Sequence, residues 1–220
     1  MAHVNETVGD AAFRQIRTDI ITGILPAGSR IRLEQARTRY NVSVSTLREN
    51  LNRLVAENLV VAEGQKGFQV APASRQELFE LADLRGLLEK HAIRLSFSAG
   101  DLDWEAGVVA AHHKLSAIER RILDGDTSCT PDWVRYDWEF HRSLVSACNS
   151  LALMNTLSSV FDRFLRYHLI AESFRGAPVV DDHQRLFELA MQRDIEGALT
   201  ILDRHVRDGT EHVLRSGRIL

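Results

Sequence analysis

Residues 33–58 decide the fold class of this chain, and their sequence is LEQARTRYNVSVSTLRENLNRLVAEN. The apolar positions within 33–40 have the spacing of a short amphipathic helix, which is interrupted at residues 41–43. A second amphipathic run covers residues 44–58, and two short strand-like pieces follow around the glycines of the segment 64–67. Helix, tight turn, helix and hairpin in this order predict a winged helix-turn-helix. In that fold the second helix enters the major groove of DNA.

The second amphipathic run has two distinct faces. Leu47, Leu51, Leu54 and Val55 fall on one apolar stripe. Its other face presents side chains that can contact phosphates or base edges: Ser45, Thr46, Arg48, Glu49, Asn52 and Arg53. Residues 30–66 carry seven basic and four acidic side chains, although the whole chain has a net charge of −3. This asymmetry favours a polyanionic partner for the segment. The alternative is an ordinary helical core.

The amino-acid sequence of residues 9–71 closely resembles that of the N-terminal domain of GntR-family bacterial transcription regulators. Four segments carry the resemblance: ILPAGSRI (24–31), YNVSVSTLRE (40–49), LVAENLV (54–60) and GQKGFQV (64–70). The resemblance implies that Arg48 contacts operator DNA and that the turn at Gly67 forms the tip of the wing. The predicted DNA-binding residues are Arg32, Ser43, Ser45, Thr46, Arg48, Asn52, Arg53, Lys66 and Gly67.

The segment departs from the family pattern at three places. Val44 stands where the family usually has Arg, Thr46-Leu47 where it often has Pro-Val, and Asn50 where it usually has Ala. Since the change at Val44 removes a basic side chain from the DNA-facing end of the helix, we expect an operator that differs from the family's usual one.

Composition limits the classes of protein that need to be considered. A length of 220 residues is enough for one large or two modest domains. Of these residues, 45% are hydrophobic and 26% are charged. No run approaches the roughly 20 apolar residues of a membrane span, and the N-terminus lacks a signal pattern. Cys129 and Cys148 have neither the number nor the spacing of a disulfide framework or metal knuckle. We therefore expect a cytoplasmic protein without a membrane partner.

The domain boundary is predicted where Ala-Pro-Ala-Ser breaks the pattern after the wing. Ser74 and Glu77 have the spacing of a capping box that opens a helix. We predict a winged helix-turn-helix domain at 9–71, a linker at 72–74 and a second domain at 75–217. Helices in the second domain are expected at about 75–98, 102–124, 131–148, 151–175, 182–193 and 195–215. The fold class is mainly α, with an antiparallel helical bundle after the DNA-binding domain.

Arg85 lies within an otherwise apolar stripe of the first bundle helix. The stripe consists of Leu78, Leu81, Arg85, Leu88, Ala92 and Leu95. A buried guanidinium is costly unless an anion pairs with it. Two alternatives are open for that anion: the side chain of Glu89 one turn on, or the carboxylate of a ligand, which the planar fork of Arg suits well.

Three histidines and one aspartate also fall on apolar stripes. Asp137 and His141 are four residues apart on one helix, so their side chains project together. His183 and His205 each lie 11 residues from a helix break at Asp194. In an antiparallel pair both are then about 16 Å from the turn and level with each other. The four side chains could hold a divalent ion such as Zn²⁺, Ni²⁺, Co²⁺ or Mn²⁺. The alternative is a set of satisfied core histidines.

Residues 75–217 resemble the FCD effector domain of the FadR branch of GntR regulators. LRGLLE (84–89) and DWEFH (137–141) match its motifs, and six helices match its shorter, VanR-like form. The resemblance implies that Asp137 and the three histidines bind the metal, that a small carboxylate effector binds over it, and that Arg85 reaches the effector. His168 and His212 fall near apolar stripes and are predicted to line the same cavity.

The combined prediction is a metabolite-responsive repressor, acting as a homodimer and released from an inverted-repeat operator by a small organic acid. One alternative is a metal-dependent hydrolase, since His/Asp sites also activate water. Glu139 points to another face and Glu172 is remote, so a general base is lacking. The other alternative is a DNA-binding protein with a purely structural bundle. We therefore predict that the chain is not an enzyme.

Overall fold

The computed structural model describes residues 7–171 and 174–219, with only the backbone at position 65. Glu172, considered above as a remote base, lies outside the described residues. The chain divides into two compact units, the first ending at Ser74 and the second spanning Arg75–Ile219. Among the described helices, none combines the length and apolar character that a bilayer crossing requires.

The first unit consists of three helices and a small antiparallel sheet. Its elements are α1 (Val8–Ile21), β1 (Arg30–Ile31), α2 (Leu33–Arg39), α3 (Val44–Ala56), β2 (Val60–Ala62) and β3 (Phe68–Val70). The strands are ordered β1-β3-β2, so β3 pairs with both neighbours. Helices α2 and α3 with the β2–β3 hairpin form the predicted winged helix-turn-helix, whereas the short strand β1 was not predicted.

Local chemistry explains the turn between α2 and α3. Asn41 adopts a left-handed conformation with φ 50°, which Asn tolerates better than most residues. The Oγ of Ser43 accepts a hydrogen bond from the backbone N–H of Thr46 at 3.1 Å, which caps the first turn of α3. Leu47 and Leu51 are fully buried beneath the helix, as their stripe predicts. These contacts fix α3 with its polar face outward.

The second unit is an all-α bundle. The α-helices among its described residues are α4 (Arg75–Ala99), α5 (Leu102–Leu123), α6 (Thr130–Val145), α7 (Leu151–Ile170), α8 (Ala177–Gln192) and α9 (Ile195–Arg215). Helix α4 packs against α6, α7 and α9, while α5 packs against α6 and α8. Helices α8 and α9 form an antiparallel pair, and the side chain of Asp194 caps α9 by accepting from the Gly197 N–H at 3.0 Å. The predicted break at Asp194 is confirmed.

Two predicted helix boundaries were wrong. Helix α7 ends at Ile170 rather than near 175, and α8 begins at Ala177 rather than near 182. Pro178 lies in the first turn of α8. A proline is tolerated there because the N–H it lacks would have no partner within the helix. The connection between the helices is therefore displaced toward the N-terminus.

The inward stripe of α4 differs from prediction at its C-terminal end. Leu95 is 38% exposed, whereas Ala92 and Ser96 are fully buried. An α-helix has 3.6 residues per turn, so a stripe extrapolated at seven-residue steps drifts around the axis. Glu89 lies on the true stripe beside Arg85 and is 1% exposed. The inward face of α4 therefore carries both an acidic side chain, Glu89, and a basic one, Arg85.

Candidate metal centre and DNA-binding surface

The bundle brings together the four side chains that the sequence singled out as metal ligands. Asp137 and His141 come from α6, His183 from α8 and His205 from α9. One potential ligand atom from each lies within 4.8 Å of the others, and all four residues are buried. The rings of His183 and His205 are 5.0 Å apart, in keeping with their equal distance from Asp194. Four donors therefore share one small volume.

His141 and His183 each have a buried carboxylate next to their Nδ1 atom. Nδ1 of His141 lies 2.6 Å from Oε1 of Glu89, and Nδ1 of His183 lies 2.6 Å from Oε1 of Glu119. An ionised carboxylate only accepts, so each Nδ1 carries a proton and Nε2 is the nitrogen of each ring that would bind a metal. Glu119 was not predicted. Its signal is its place on the inward stripe of α5, four residues after the buried Leu115.

The surroundings of His183 favour a cation. Its Nε2 is 3.1 Å from Oδ1 of Asp137 without forming an aligned hydrogen bond, and this buried atom has no hydrogen-bond partner among the described residues. Burial lowers the pKa of His183, but the adjacent carboxylates of Asp137 and Glu119 raise it to about 9. Two buried negative charges thus stabilise positive charge at this point, which fits a divalent cation.

The other groups of the cluster also favour a site of this charge. Burial raises the pKa of Asp137, but the adjacent ring of His183 and the other nearby positive groups outweigh it and bring the pKa well below its ordinary value. Burial and neighbouring cationic groups lower the pKa of His205, so this ring is neutral. One carboxylate and three imidazoles form a donor set that suits Zn²⁺, Ni²⁺ or Co²⁺, with Mn²⁺ also compatible.

Arg85 connects the cluster to an adjoining cavity. Its Nε donates to Oε2 of Glu89 at 2.9 Å, so the internal ion pair considered from the sequence exists. The same guanidinium lies 3.3 Å from both ring nitrogens of His141 and 4.3 Å from the centre of the Phe161 ring. Burial raises the pKa of Glu89, but the charges of Arg85 and His141 bring it to about 2. The pair is therefore ionised.

The cavity opens directly beside the four candidate ligands. Its lining combines cationic, polar and apolar groups: Arg85, Trp133, Asp137, Phe164, Leu165, His168, Arg175, Val179, His205 and Gly209. Nε2 of His168 is buried and, within the described part of the chain, has no hydrogen-bond partner. Burial lowers the pKa of this ring to about 3. A Cβ at Gly209 would lie 3.2 Å from the His168 ring, so the glycine leaves room for it. A neutral polar atom therefore faces a partly apolar space.

His212 does not line this cavity, contrary to the prediction that grouped it with His168. It lies on a neighbouring surface pocket with Arg175, Pro178 and Arg215. The reason is its position on α9, since His212 comes almost two turns after His205, toward the C-terminal end of the helix. Arg175 lines both spaces, and the sequence analysis did not select it.

Most predicted DNA-binding side chains lie on the outer face of the first unit. The exposed ones are Arg32, Ser43, Ser45, Arg48, Asn52, Arg53 and Lys66, and Thr46 and Gly67 are half-buried. Gly67 has φ 90°, a conformation that requires glycine, at the turn before β3. Two of these residues also have structural contacts. Ser43 caps α3, and Arg53 pairs with Asp10 at 3.3 Å and stacks over the ring of Phe13.

Asn50, one of the departures from the family pattern, has a structural explanation. Its side chain is 2% exposed, and its Nδ2 donates to the backbone oxygen of Gly9 at 2.9 Å. The side chain of Thr46 packs close to the same glycine. Asn50 therefore links the start of α1 to α3 by a hydrogen bond that an alanine could not form.

Comparisons with known proteins agree with this architecture. Residues 9–70 match the model of the gntR family of bacterial regulatory proteins, and residues 80–208 match the FCD domain. The HTH-type transcriptional regulator BphR of Paraburkholderia xenovorans is 37% identical over 210 residues, covering 94% of this chain and 86% of its own. The HTH-type transcriptional repressor GlaR of Escherichia coli is 32% identical, covering 88% of this chain and 90% of its own.

The fold is similar to that of solved regulators. The structure of E. coli McbR/YncC superimposes with a TM-score of 0.79 at 18% identity and covers 96% of this chain and 98% of its own. The relatives are named as transcriptional regulators, so the hydrolase alternative is not supported. The chain belongs to the GntR family of bacterial regulatory proteins, in the FadR branch that carries an FCD domain, and it is a transcriptional regulator and not an enzyme.

Proposed function

We propose that this regulator is a cytoplasmic repressor that leaves its operator when a small organic acid binds over a divalent metal in the FCD domain. The observation that carries the proposal is the convergence of Asp137, His141, His183 and His205 beside a cavity that contains Arg85. A metal bound there would supply positive charge and open coordination positions for a carboxylate. Arg85 and His168 would orient the acid.

We propose residues 9–71 as the DNA-binding domain, 72–74 as the linker and 75–217 as the domain that binds the effector and dimerises. Two copies of α3 would read the half-sites of an inverted repeat. Arg48, Asn52 and Lys66 are exposed on the face proposed to contact DNA, together with Arg32. The name of GlaR as a repressor supports repression by this chain.

The acid would act by a shift between two states with different operator affinity. Such a shift is limited by the difference in the acid's affinity for the two states. Arg85 is a suitable point of contact because its partner Glu89 also holds His141, so one guanidinium joins the acid, the metal ligands and helix α4. The metal identity among Zn²⁺, Ni²⁺, Co²⁺ and Mn²⁺ is left to measurement.

The test is the metal content and acid response of His183→Ala. The untagged full-length variant should lose bound metal and lose the effect of an acid on operator binding. His113→Ala, which changes an exposed histidine on α5, should behave like the wild type. A thermal-shift screen of small mono- and dicarboxylates, with and without chelator, would identify the acid. Full metal stoichiometry in His183→Ala would overturn the proposal.

A further inference from the structure

Arg175, in the connection between α7 and α8, occupies a position that nothing in the sequence pattern indicated. Its side chain is 8% exposed and donates to Oδ2 of Asp182 at 3.1 Å. The same NH2 group lies 3.2 Å from Nδ1 of His205. The guanidinium also lines both the inner cavity and the neighbouring surface pocket. Arg175 thus contacts Nδ1 of a candidate metal ligand.

The contact with His205 has a consequence for the ring proton. A guanidinium has N–H donors and no acceptor, so Nδ1 of His205 must accept and the proton of the neutral ring must lie on Nε2. Nδ1 is turned toward Arg175 and Asp182, which leaves Nε2 for the metal centre. A ring nitrogen that carries a proton cannot bind a metal. The contact with Arg175 and the role of His205 as a metal ligand are therefore mutually exclusive.

His205 differs in this respect from the other two histidines. Nδ1 of His141 and of His183 faces a carboxylate at 2.6 Å, so in both rings Nδ1 carries a proton and Nε2 is the nitrogen that would bind a metal. For His205 the corresponding carboxylate is Asp182, whose Oδ2 is 3.6 Å from Nδ1. Arg175 occupies the place where this hydrogen bond would form.

We propose that Arg175 is an effector-binding residue that the metal centre controls, an inference that rests on the proposed function. Without metal, His205 and Asp182 hold the guanidinium. For Nε2 of His205 to bind the metal, it would release its proton to water and Nδ1 would take one up, so that the ring stays neutral. The new Nδ1–H would then donate to Asp182, and Arg175 would lose an acceptor. The planar fork of Arg175, which lines the cavity, would then be available for the carboxylate of the acid. Binding of the acid therefore depends on the metal.

The first test uses Zn²⁺ alone, in competition with a chromophoric chelator. Arg175→Ala removes the competing donor, so its zinc affinity should rise about tenfold, since hydrogen bonds to charged groups are among the strong ones. Arg204→Ala is the matched control. Arg204 binds the other oxygen of Asp182 at 2.5 Å but is half-exposed and does not line the cavity. Equal or weaker zinc binding by Arg175→Ala, compared with Arg204→Ala, would contradict the proposal.

The second test observes the ring proton directly. Long-range ¹H–¹⁵N correlation spectra of the full chain should show His205 with its proton on Nε2 in the metal-free form and on Nδ1 in the zinc form. His205→Gln serves only to assign the signals. A metal-free protein in which His205 already carries the proton on Nδ1 would overturn the inference, whatever the zinc affinities are.

The third test uses acetate, the simplest carboxylate, as the probe on Co²⁺-loaded protein. Acetate should change the visible cobalt spectrum of the wild type at a concentration at least about tenfold below that needed by Arg175→Ala. Arg175→Lys, which keeps the charge without the planar fork, should resemble the alanine variant and replaces it if alanine impairs folding. An acetate effect that is equal in wild type and variant, or missing from both, would overturn the role of Arg175. Full cobalt binding by His183→Ala would instead refute the proposed metal centre.

Discussion

Oε1 of Glu119 lies 2.6 Å from Nδ1 of His183, and neither side chain is more than 1% exposed. The two residues are 64 positions apart in the chain and come from α5 and α8. Trp133, which also lines the cavity, has its indole Nε1 3.4 Å from the same carboxylate oxygen. One buried acid thus contacts both a candidate metal ligand and a wall of the candidate effector cavity.

The contact predicts that Glu119→Gln weakens metal binding without changing the packing of the core. An amide of the same size keeps the packing but loses the negative charge that orients and polarises His183. We expect the metal affinity to fall by about 10- to 100-fold. Glu139→Gln is a suitable control, because Glu139 is exposed and pairs with Lys114 on the surface. Metal titrations of both variants that coincide with the wild type would show that Glu119 has no such role.

The two arginines of α3 should differ in what their removal affects. Arg48 is exposed and has no hydrogen bond or ion pair among the described residues, so Arg48→Ala should weaken operator binding while leaving stability unchanged. If Arg48 contacts phosphate, the slope of log affinity against log salt should fall by about 1. Fluorescence anisotropy on an operator found by in vitro selection measures both. Unchanged operator affinity in Arg48→Ala would refute its assignment to the DNA-binding surface.

For Arg53 we expect a loss of stability in addition to any change in DNA affinity. Arg53→Ala removes the pair with Asp10 and the stacking over Phe13, where the guanidinium carbon is 3.9 Å from the ring centre. An exposed cation–π contact contributes about 0.5–1 kcal/mol. Urea unfolding of the full chain would measure this loss, and Arg48→Ala is its matched control. Equal stability of the two variants would assign Arg53 to DNA contact alone.

Tyr40 should make the first unit sensitive to high pH. Its hydroxyl donates to Oδ2 of the buried Asp19 at 2.8 Å, and burial together with this carboxylate raises the pKa of Tyr40. The contribution to stability is complete below the unfolded pKa of about 10. Above that pH it declines, because the unfolded chain releases the proton that the folded chain retains.

Tyr40→Phe tests this dependence. At pH 8 the variant should be less stable by about 1 kcal/mol, since Asp19 keeps its bonds with Arg39 and Gln15. Above pH 10 the difference between the variant and the wild type should become smaller. Urea unfolding at pH 8 and 10.5 measures it. A stability difference that stays constant, or grows, between these values would contradict the assignment.

The exposed face of α4 provides a test of the proposed homodimer. Leu84, Leu87 and Leu95 are 40%, 66% and 38% exposed on this helix. If a second copy covers this face, Leu87→Glu should convert the dimer to a monomer by placing a charge in an apolar interface. Light scattering after gel filtration gives the mass. Leu151→Glu, at a leucine that is 78% exposed on α7, should leave the mass unchanged. A dimeric Leu87→Glu variant would place the interface elsewhere.

Much of the candidate site could be predicted because polar residues on apolar stripes are visible in the sequence. Asp137, His141, His183 and His205 each interrupt a stripe, and helical periodicity alone assigns them to the interior. Their equal distance from the helix break at Asp194 placed His183 and His205 at the same height along the antiparallel pair. Arg85 and its partner Glu89 are one turn apart, so this ion pair was also within reach of local spacing.

The sequence by itself determined the winged helix-turn-helix, the six-helix bundle and the inward orientation of the four candidate ligands, because these depend on the period of a helix and on short-range motifs. Only the tertiary structure decided the contacts of Glu119, Arg175 and Trp133, the position of His212 outside the cavity lining and the exposure of Leu95. These depend on contacts between helices that are far apart in the chain. Spacing along one helix shows which face a side chain occupies, whereas packing between helices decides which atoms it meets there.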